Sequence, residues 1–264
     1  MANHMASSIS LITVVRNNPL VAQAVASVLS QELNGRIESI VIDGASTDGT
    51  LAALAPHRDH IAYLISEADK GIYDAMNKGL RLATGDIIGI LNADDLYQDR
   101  QVFSRVFKAF EDPTVEACYG DLVYVRQSDP SRILRYWRSG PPAPDHFQWG
   151  WMPPHPTLFV RRRVYDQFGL FDPRYPIAAD CEFMLRILLK HRLKAAYIPE
   201  VLVRMRAGGV SNGSLSGILH ANAEYRQAFR DLALPCTPLF TPFKLVRHAA
   251  QLFQRPPRTS PVAV

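Results

Sequence analysis

"IIGILNADDLY" (Ile87–Tyr97) begins as an apolar run and ends in two adjacent carboxylates, Asp94 and Asp95. A short apolar run closed by a turn signal reads as a strand buried on both faces. Neighbouring like charges repel, and burial makes one of them hold its proton unless a cation compensates. A hard divalent cation, Mg2+ or Mn2+, would compensate through oxygen ligands. Asn92, two residues before Asp94, adds another oxygen on the same side of the strand. The alternative is a solvated turn that caps the following helix.

Outward from this stretch the first half of the chain alternates. "SISLITVV", "RIESIVID", "IAYLIS" and "TVEACYG" read as strands. "PLVAQAVASVLSQ", "STDGTLAALAP", "GIYDAMNKGLRLATG" and "DRQVFSRVFKAFED" read as helices, with Pro19 in a first turn and Ser46 or Thr47 as a cap. Strands separated by helices of this length form β-α-β units. The expected fold is therefore α/β, a mostly parallel central sheet flanked by helices. Ligands in such sheets bind beyond the carboxyl ends of the strands. "VIDGASTDGT", "SEADKG" and "LNADD" all fall there.

After Gly120 the pattern is less regular. "LVYVRQSDPSRILRYWRSG" reads as a hairpin, and "PPAPDHFQWGWMPPHP" as an ordered loop over the site. "DCEFMLRILLKHR" is an amphipathic helix with Asp180 at its N-terminus. "AAYIPEVLVRMR" reads as a pair of strands, and the chain ends in helix and a basic tail. The expected organisation is a disordered or cloning-derived stretch over 1–8, a catalytic domain over 9–211 and a helical extension over 212–264.

The bulk numbers exclude several classes. The 264 residues are 47% hydrophobic and 20% charged, as in an ordinary globular protein, and a net charge of +4 is too mild to argue for nucleic acid. Three scattered cysteines form no zinc or disulfide pattern, so a cytoplasmic location is expected. No apolar run is long enough to span a membrane, and the N-terminus has no signal-peptide core.

Single residues carry chemistry in two readings each. Asp43 ends a strand before Gly44 and can accept from a nucleobase or a ribose hydroxyl, or cap a turn. Lys70 and Gly71 precede a helix, where a cation and free N–H groups suit a diphosphate. Asp74 and Asn77 share that helix's face. Asp180 is a helix cap or a general base, with Glu182 as the competing base. His155 stands between prolines in the lid-like loop. Trp149 and Trp151 either stack on a sugar or pack the lid.

Taken together, "TVVRNN", "IDGASTDGT", "DKGIYDAMNKG", "GDIIGILNADD", "HPTLFVRR" and "DCEFMLR" resemble the family 2 glycosyltransferases with the GT-A (Rossmann-like nucleotide-diphospho-sugar transferase) fold. The resemblance runs from about Ser10 to Ser211. It is strongest to bacterial enzymes of exopolysaccharide and lipopolysaccharide synthesis. It implies an inverting, metal-assisted single displacement. The donor would be a nucleoside-diphosphate sugar, and the acceptor a saccharide or lipid-linked hydroxyl. Asp43 would contact the base or ribose beside Val15 and Arg16, and Lys70 would lie near the base. Asn92-Ala93-Asp94 would correspond to the Asp-x-Asp motif, making Asp94 the metal ligand and placing Asp95 near the donor sugar or in the metal shell. Asp180 would be the base. His155 and "RMRAGGVS", including Arg206, would lie near the diphosphate and the acceptor. Two departures stand out: Asn92 replaces the motif's first acid, and Ala179 replaces the Glu before the base. They favour an alternative, a non-catalytic nucleotide-sugar-binding relative in a membrane assembly. A sugar nucleotidyltransferase is a weaker rival, because "VVRNNPLVAQ" lacks a Gly-rich loop. The basic tail, with Lys244, Arg247, His248, Arg255 and Arg258, can lie on the inner face of an anionic membrane or pack on the domain.

Overall fold

The computed structural model describes residues 7–208, 215–252 and 254–256. The expected junction at 211/212, and the end of "RMRAGGVS" beyond Gly208, lie outside the described residues. Among the described residues nine strands form one sheet: β1 (Ser8–Val15), β2 (Arg36–Asp43), β3 (Tyr63–Ser66), β4 (Ile87–Asn92), β5 (Leu96–Tyr97), β6 (Ala117–Arg126), β7 (Asp129–Trp137), β8 (Phe159–Arg161) and β9 (Ala195–Arg206). Their order is β3-β2-β1-β4-β8-β6-β9-β5, with β7 paired to β6. Helices α1 (Val21–Leu29), α2 (Thr50–Leu54), α3 (Ile72–Leu82), α4 (Val102–Ala109), α5 (Arg162–Phe168), α6 (Ala179–Met184), α7 (Leu215–Asp231) and α8 (Phe240–Ala250) flank it.

The parallel expectation holds over β3-β2-β1-β4, where period-two alternation splits the core between two faces. Ile12, Val14, Ile40, Ile42, Ile88 and Ile90 face α3 and α6, while Ile9, Leu11, Ile87 and Leu91 face the α4 side. Beyond β4 the sheet is mixed. β8 runs antiparallel to β4 and β6, and β9 runs parallel to β6.

Several local expectations are corrected. "AAYIPEVLVRMR" is one long strand, β9, and not a pair. Pro199, which lacks an N–H, sits where the β6 ladder skips between Tyr119↔Tyr197 and Asp121↔Val201, so the break is absorbed as an irregularity. Strand β1 begins at Ser8, inside the N-terminal stretch set aside, and Asp86 accepts from the backbone of Ser7 and Ser8. The cap of α2 is Gly49, with Asp48 accepting from the Thr50 N–H, so neither Ser46 nor Thr47 caps it. Asp180 is not the cap of α6 either. That position is Ala178, and Asp180 lies in the first turn.

The C-terminal helices pack on the domain. Gly150, at φ 75°, lies against the Lys244 backbone of α8, where an added Cβ would meet it at 2.9–3.0 Å. The Trp149 ring meets Phe243 edge-on at 5.3 Å. Among the described residues no helix is long and apolar enough to cross a membrane.

Candidate active site

The carboxyl ends of the parallel strands line up. Asp43 is level with Val15 on one side and Ser66 on the other, and Asn92 is level with Val14. β8 enters antiparallel to β4 with Phe159 opposite Gly89, so the turn over His155–Thr157 lies at that same end. Helix α3 starts just after the loop that leaves β3, bringing Lys70, Gly71 and Tyr73 there too.

Asp43 is fully buried. Its carboxylate accepts from the Ser46 N–H (3.0 Å), the Ser46 hydroxyl and the Ser66 hydroxyl (2.6 Å). These bonds order the loop after β2. Asn17 ties the loop after β1 to it, donating its N–H to the Ser46 Oγ and accepting from the Thr47 N–H. Gly44 lies close to the Asp69 carboxylate: an added Cβ would meet its Oδ2 at 2.6 Å and push that side chain aside. Asp69 was not singled out from the sequence, although it lies in "EADKG". Arg16, Lys70 and Gly71 are exposed, and the Lys70 N–H is capped by Asp74.

The acidic pair behaves unequally. Asp95 is buried, accepting from the Asn92 amide (2.9 Å) and the Arg206 N–H (3.3 Å). Burial, then the charge of Asp94, pushes its carboxyl up to about 8. Asp94 is half-buried, and its carboxylate receives no hydrogen bond from a described residue. It is the open carboxylate of the pair. Among the described residues no cluster of three His, Cys, Asp or Glu could cage a metal. A cation here fits Asp94 plus oxygens from a bound diphosphate and water, the usual arrangement for Mg2+.

Asp180 is half-buried. Its Oδ1 accepts from the Tyr73 hydroxyl (2.9 Å) and the Cys181 N–H (2.8 Å). The backbone leading into α6 is held from afar: the Glu224 carboxylate of α7 accepts from the N–H groups of Ile177 (2.9 Å) and Ala178 (2.8 Å). His155 stacks edge-on with Phe171 at 5.6 Å and feels the Asp180 charge, while burial holds its imidazole below the usual range. Lys244 of α8 lies 3.8 Å from the centre of the Tyr225 ring, and burial lowers its ammonium to about 8 against the pull of Cys181 and Asp180. Tyr73 and Glu224 were missed, and Lys244 was read only as part of the basic tail. Only Tyr73 had a signal, its place in the first turn of a helix entering the site.

Four expected site residues have their polar atoms used inside the fold. Asn77 is buried, donating to the Phe171 carbonyl (2.8 Å) and accepting from its N–H (3.0 Å). Arg206 is buried, its guanidinium bound to the carbonyls of Asp94 (2.8 Å) and Gln127 (3.1 Å) and to Gln23. It clamps the acidic turn with its guanidinium bonds spent inside the fold. Trp151 is buried, with its indole N–H on the Ser139 carbonyl (2.8 Å). Glu182 is buried and paired with Arg186 at 2.7 Å, which removes it as a competing base. Trp149 stays partly exposed on the α8 side.

Known proteins share this fold. The mannosyltransferase PcManGT from Pyrobaculum calidifontis, solved with GDP-Man and Mn2+, superposes with a TM-score of 0.62 at 22% identity, over 92% of this chain and 68% of its own. TarS 1-349 from S. aureus, solved with UDP, superposes with a TM-score of 0.63 at 15% identity, over 92% and 72%. The fold is thus that of the GT-A glycosyltransferases. The family described as Glycosyl transferase family 2 matches residues 10–170. An uncharacterised glycosyltransferase of Mycobacterium tuberculosis is 33% identical over 193 residues, 70% of each chain. A PGL/p-HBAD biosynthesis glycosyltransferase of the same species is 29% identical over 209 residues, 77% of this chain and 78% of the relative. The chain belongs to glycosyl transferase family 2 and is a glycosyltransferase.

Proposed function

We propose that this glycosyltransferase moves a hexosyl group from a nucleoside-diphosphate donor to a hydroxyl of a saccharide or lipid-linked acceptor, with inversion, in cell-surface polysaccharide synthesis. The reading rests on one observation: Asp43, Asn92, the open carboxylate of Asp94 and Asp180 are gathered at one end of one sheet. That PcManGT was solved with GDP-Man and Mn2+, and TarS with UDP and UDP-GlcNAc, supports a nucleotide-sugar donor. Val15, Arg16, Asp43, Lys70, Gly71, Asn92, Asp95 and His155 surround the donor in this reading, with Asp94 holding Mn2+ or Mg2+. When bound, the metal would neutralise charge on the departing diphosphate. Asp180 takes the acceptor's hydroxyl proton as that oxygen bonds to the anomeric carbon. The anomeric carbon–phosphate oxygen bond breaks, and its electron pair leaves with the nucleoside diphosphate. Trp149 stands at the rim of the loop that would exclude water.

Calorimetric titration of UDP, GDP, dTDP and CDP, with and without Mn2+, tests the donor site on wild type and Asp94→Ala. Metal-dependent binding of one nucleotide, lost in Asp94→Ala, is expected. No binding of any diphosphate would overturn the donor site. Turnover lost in Asp180→Asn with nucleotide binding kept is the result expected of the base. A wild type that binds donor and turns over no acceptor would favour the non-catalytic relative.

The reading includes peripheral contact with the inner face of the cytoplasmic membrane through α8. Leu245, Val246 and Leu252 are exposed beside Arg247 and Arg255, and residues 232–264 contain no acid. A basic helix with an apolar face suits an anionic bilayer surface. Co-sedimentation with phosphatidylglycerol vesicles, absent with phosphatidylcholine alone and reduced in Val246→Gln/Arg247→Gln, is expected. Equal recovery with both vesicles would remove this part.

A further inference from the structure

The Tyr73 hydroxyl lies 2.9 Å from two acceptors, Asp180 Oδ1 and the Ile177 carbonyl. It has one proton, so it fully satisfies one of them at a time. With Asp180 ionised, the charge-assisted bond to the carboxylate is the stronger. With Asp180 protonated, the carboxyl O–H donates to the Tyr73 oxygen, and the Tyr73 proton turns to Ile177. The hydrogen-bond count suits both states.

We infer that Tyr73 is a positioning residue that serves both protonation states of Asp180, its hydroxyl proton turning to the Ile177 carbonyl when Asp180 takes up the acceptor's proton. The inference rests on Asp180 as the base. No new bond is made at Tyr73; only its O–H rotates. Both partners are held in place. Tyr73 is buried on α3 with its ring 5.5 Å from Phe171, and the Ile177 and Ala178 N–H groups are fixed by Glu224 of α7. Burial and the Asp180 charge push the Tyr73 phenol well up, so it keeps the proton the switch needs. The other groups around Asp180 are His155, Cys181, Tyr225 and Lys244. Burial moves the thiol and the second phenol up and lowers the Lys244 ammonium to about 8, all above the carboxyl range, so His155 is the neighbour whose titration must be followed separately.

The test is an NMR titration of ligand-free protein carrying 13Cγ-labelled aspartate, with the Asp180 signal assigned through Asp180→Asn and His155 followed by its ring protons. Removing a hydrogen bond to the charged form raises a carboxyl pKa, so Tyr73→Phe is expected to raise the midpoint by roughly one unit. Tyr225→Phe is expected to leave it in place. In unmutated protein the Ile177 carbonyl carbon is expected to shift with the Asp180 midpoint, which reads the switch without any variant. An unmoved Ile177 signal, an unmoved or lowered midpoint in Tyr73→Phe, or an equal rise in Tyr225→Phe would each overturn the inference. In turnover, the acid limb of the pH profile is expected to rise with the same shift. Full activity in Asp180→Asn would instead overturn the base reading while leaving the titration result intact.

Discussion

Asp95 shows what a single buried residue does to the behaviour of the site. Its carboxyl is raised from 3.8 to about 8, first by burial and then by Asp94. Between those values the folded chain holds a proton that the unfolded chain has lost, so this residue's contribution to stability falls as pH rises through that window. A cation beside Asp94 favours the ionised pair, so the rise in Tm from Mn2+ plus nucleoside diphosphate should be larger at pH 8 than at pH 5.5. Equal rises at both would separate Asp95 from the cation. Glu182 gives a second residue-scale expectation. It is buried against Arg186, and removing one partner of a buried pair strands the other charge, at a cost of about 3–5 kcal/mol. Glu182→Ala should therefore lower the denaturation midpoint while leaving nucleotide binding unchanged. At this scale Asp43 and Asp94 were legible, because an acid at a strand end is visible locally. Asn77, Arg206 and Trp151 were not. Their polar atoms are spent on backbone groups distant in sequence, and a polar residue type looks the same whether it faces a ligand or a carbonyl.

Helix α6 carries Asp180 but does not cap itself. Glu224 of α7, forty-odd positions later in the chain, accepts from the two backbone N–H groups that lead into it. Loss of hydrogen bonds to a charged acceptor costs about 1–3 kcal/mol. Glu224→Ala is expected to lower Tm by a few degrees and to reduce turnover more than nucleotide binding, because only the Asp180 element loosens. Equal loss of both would argue for general destabilisation. The strand ends and most helices followed from hydrophobic period. β9 was read as a pair of strands, and only the neighbouring strand reveals that the ladder skips at Pro199 without ending there.

Across the molecule, the C-terminal helices complete the Asp180 side. Gly150 in its left-handed conformation lets α8 reach the loop, and Lys244 then lies near Asp180. Gly150→Val adds strain at φ 75° and a clash with the Lys244 backbone. It is expected to release α8, read as faster proteolysis within 232–256, and to cut turnover. Unchanged proteolysis would show that the packing tolerates the side chain. The sequence by itself determined the α/β alternation, the parallel half of the sheet and the end at which its acids gather, because periodicity and strand termini are local properties. Tertiary structure alone decided which polar groups remain free. Tyr73 meets Asp180 across 107 positions and Asn77 meets Phe171 across 94. Such pairings arise only when packing brings distant backbone and side chains into one buried volume, where every donor must find an acceptor.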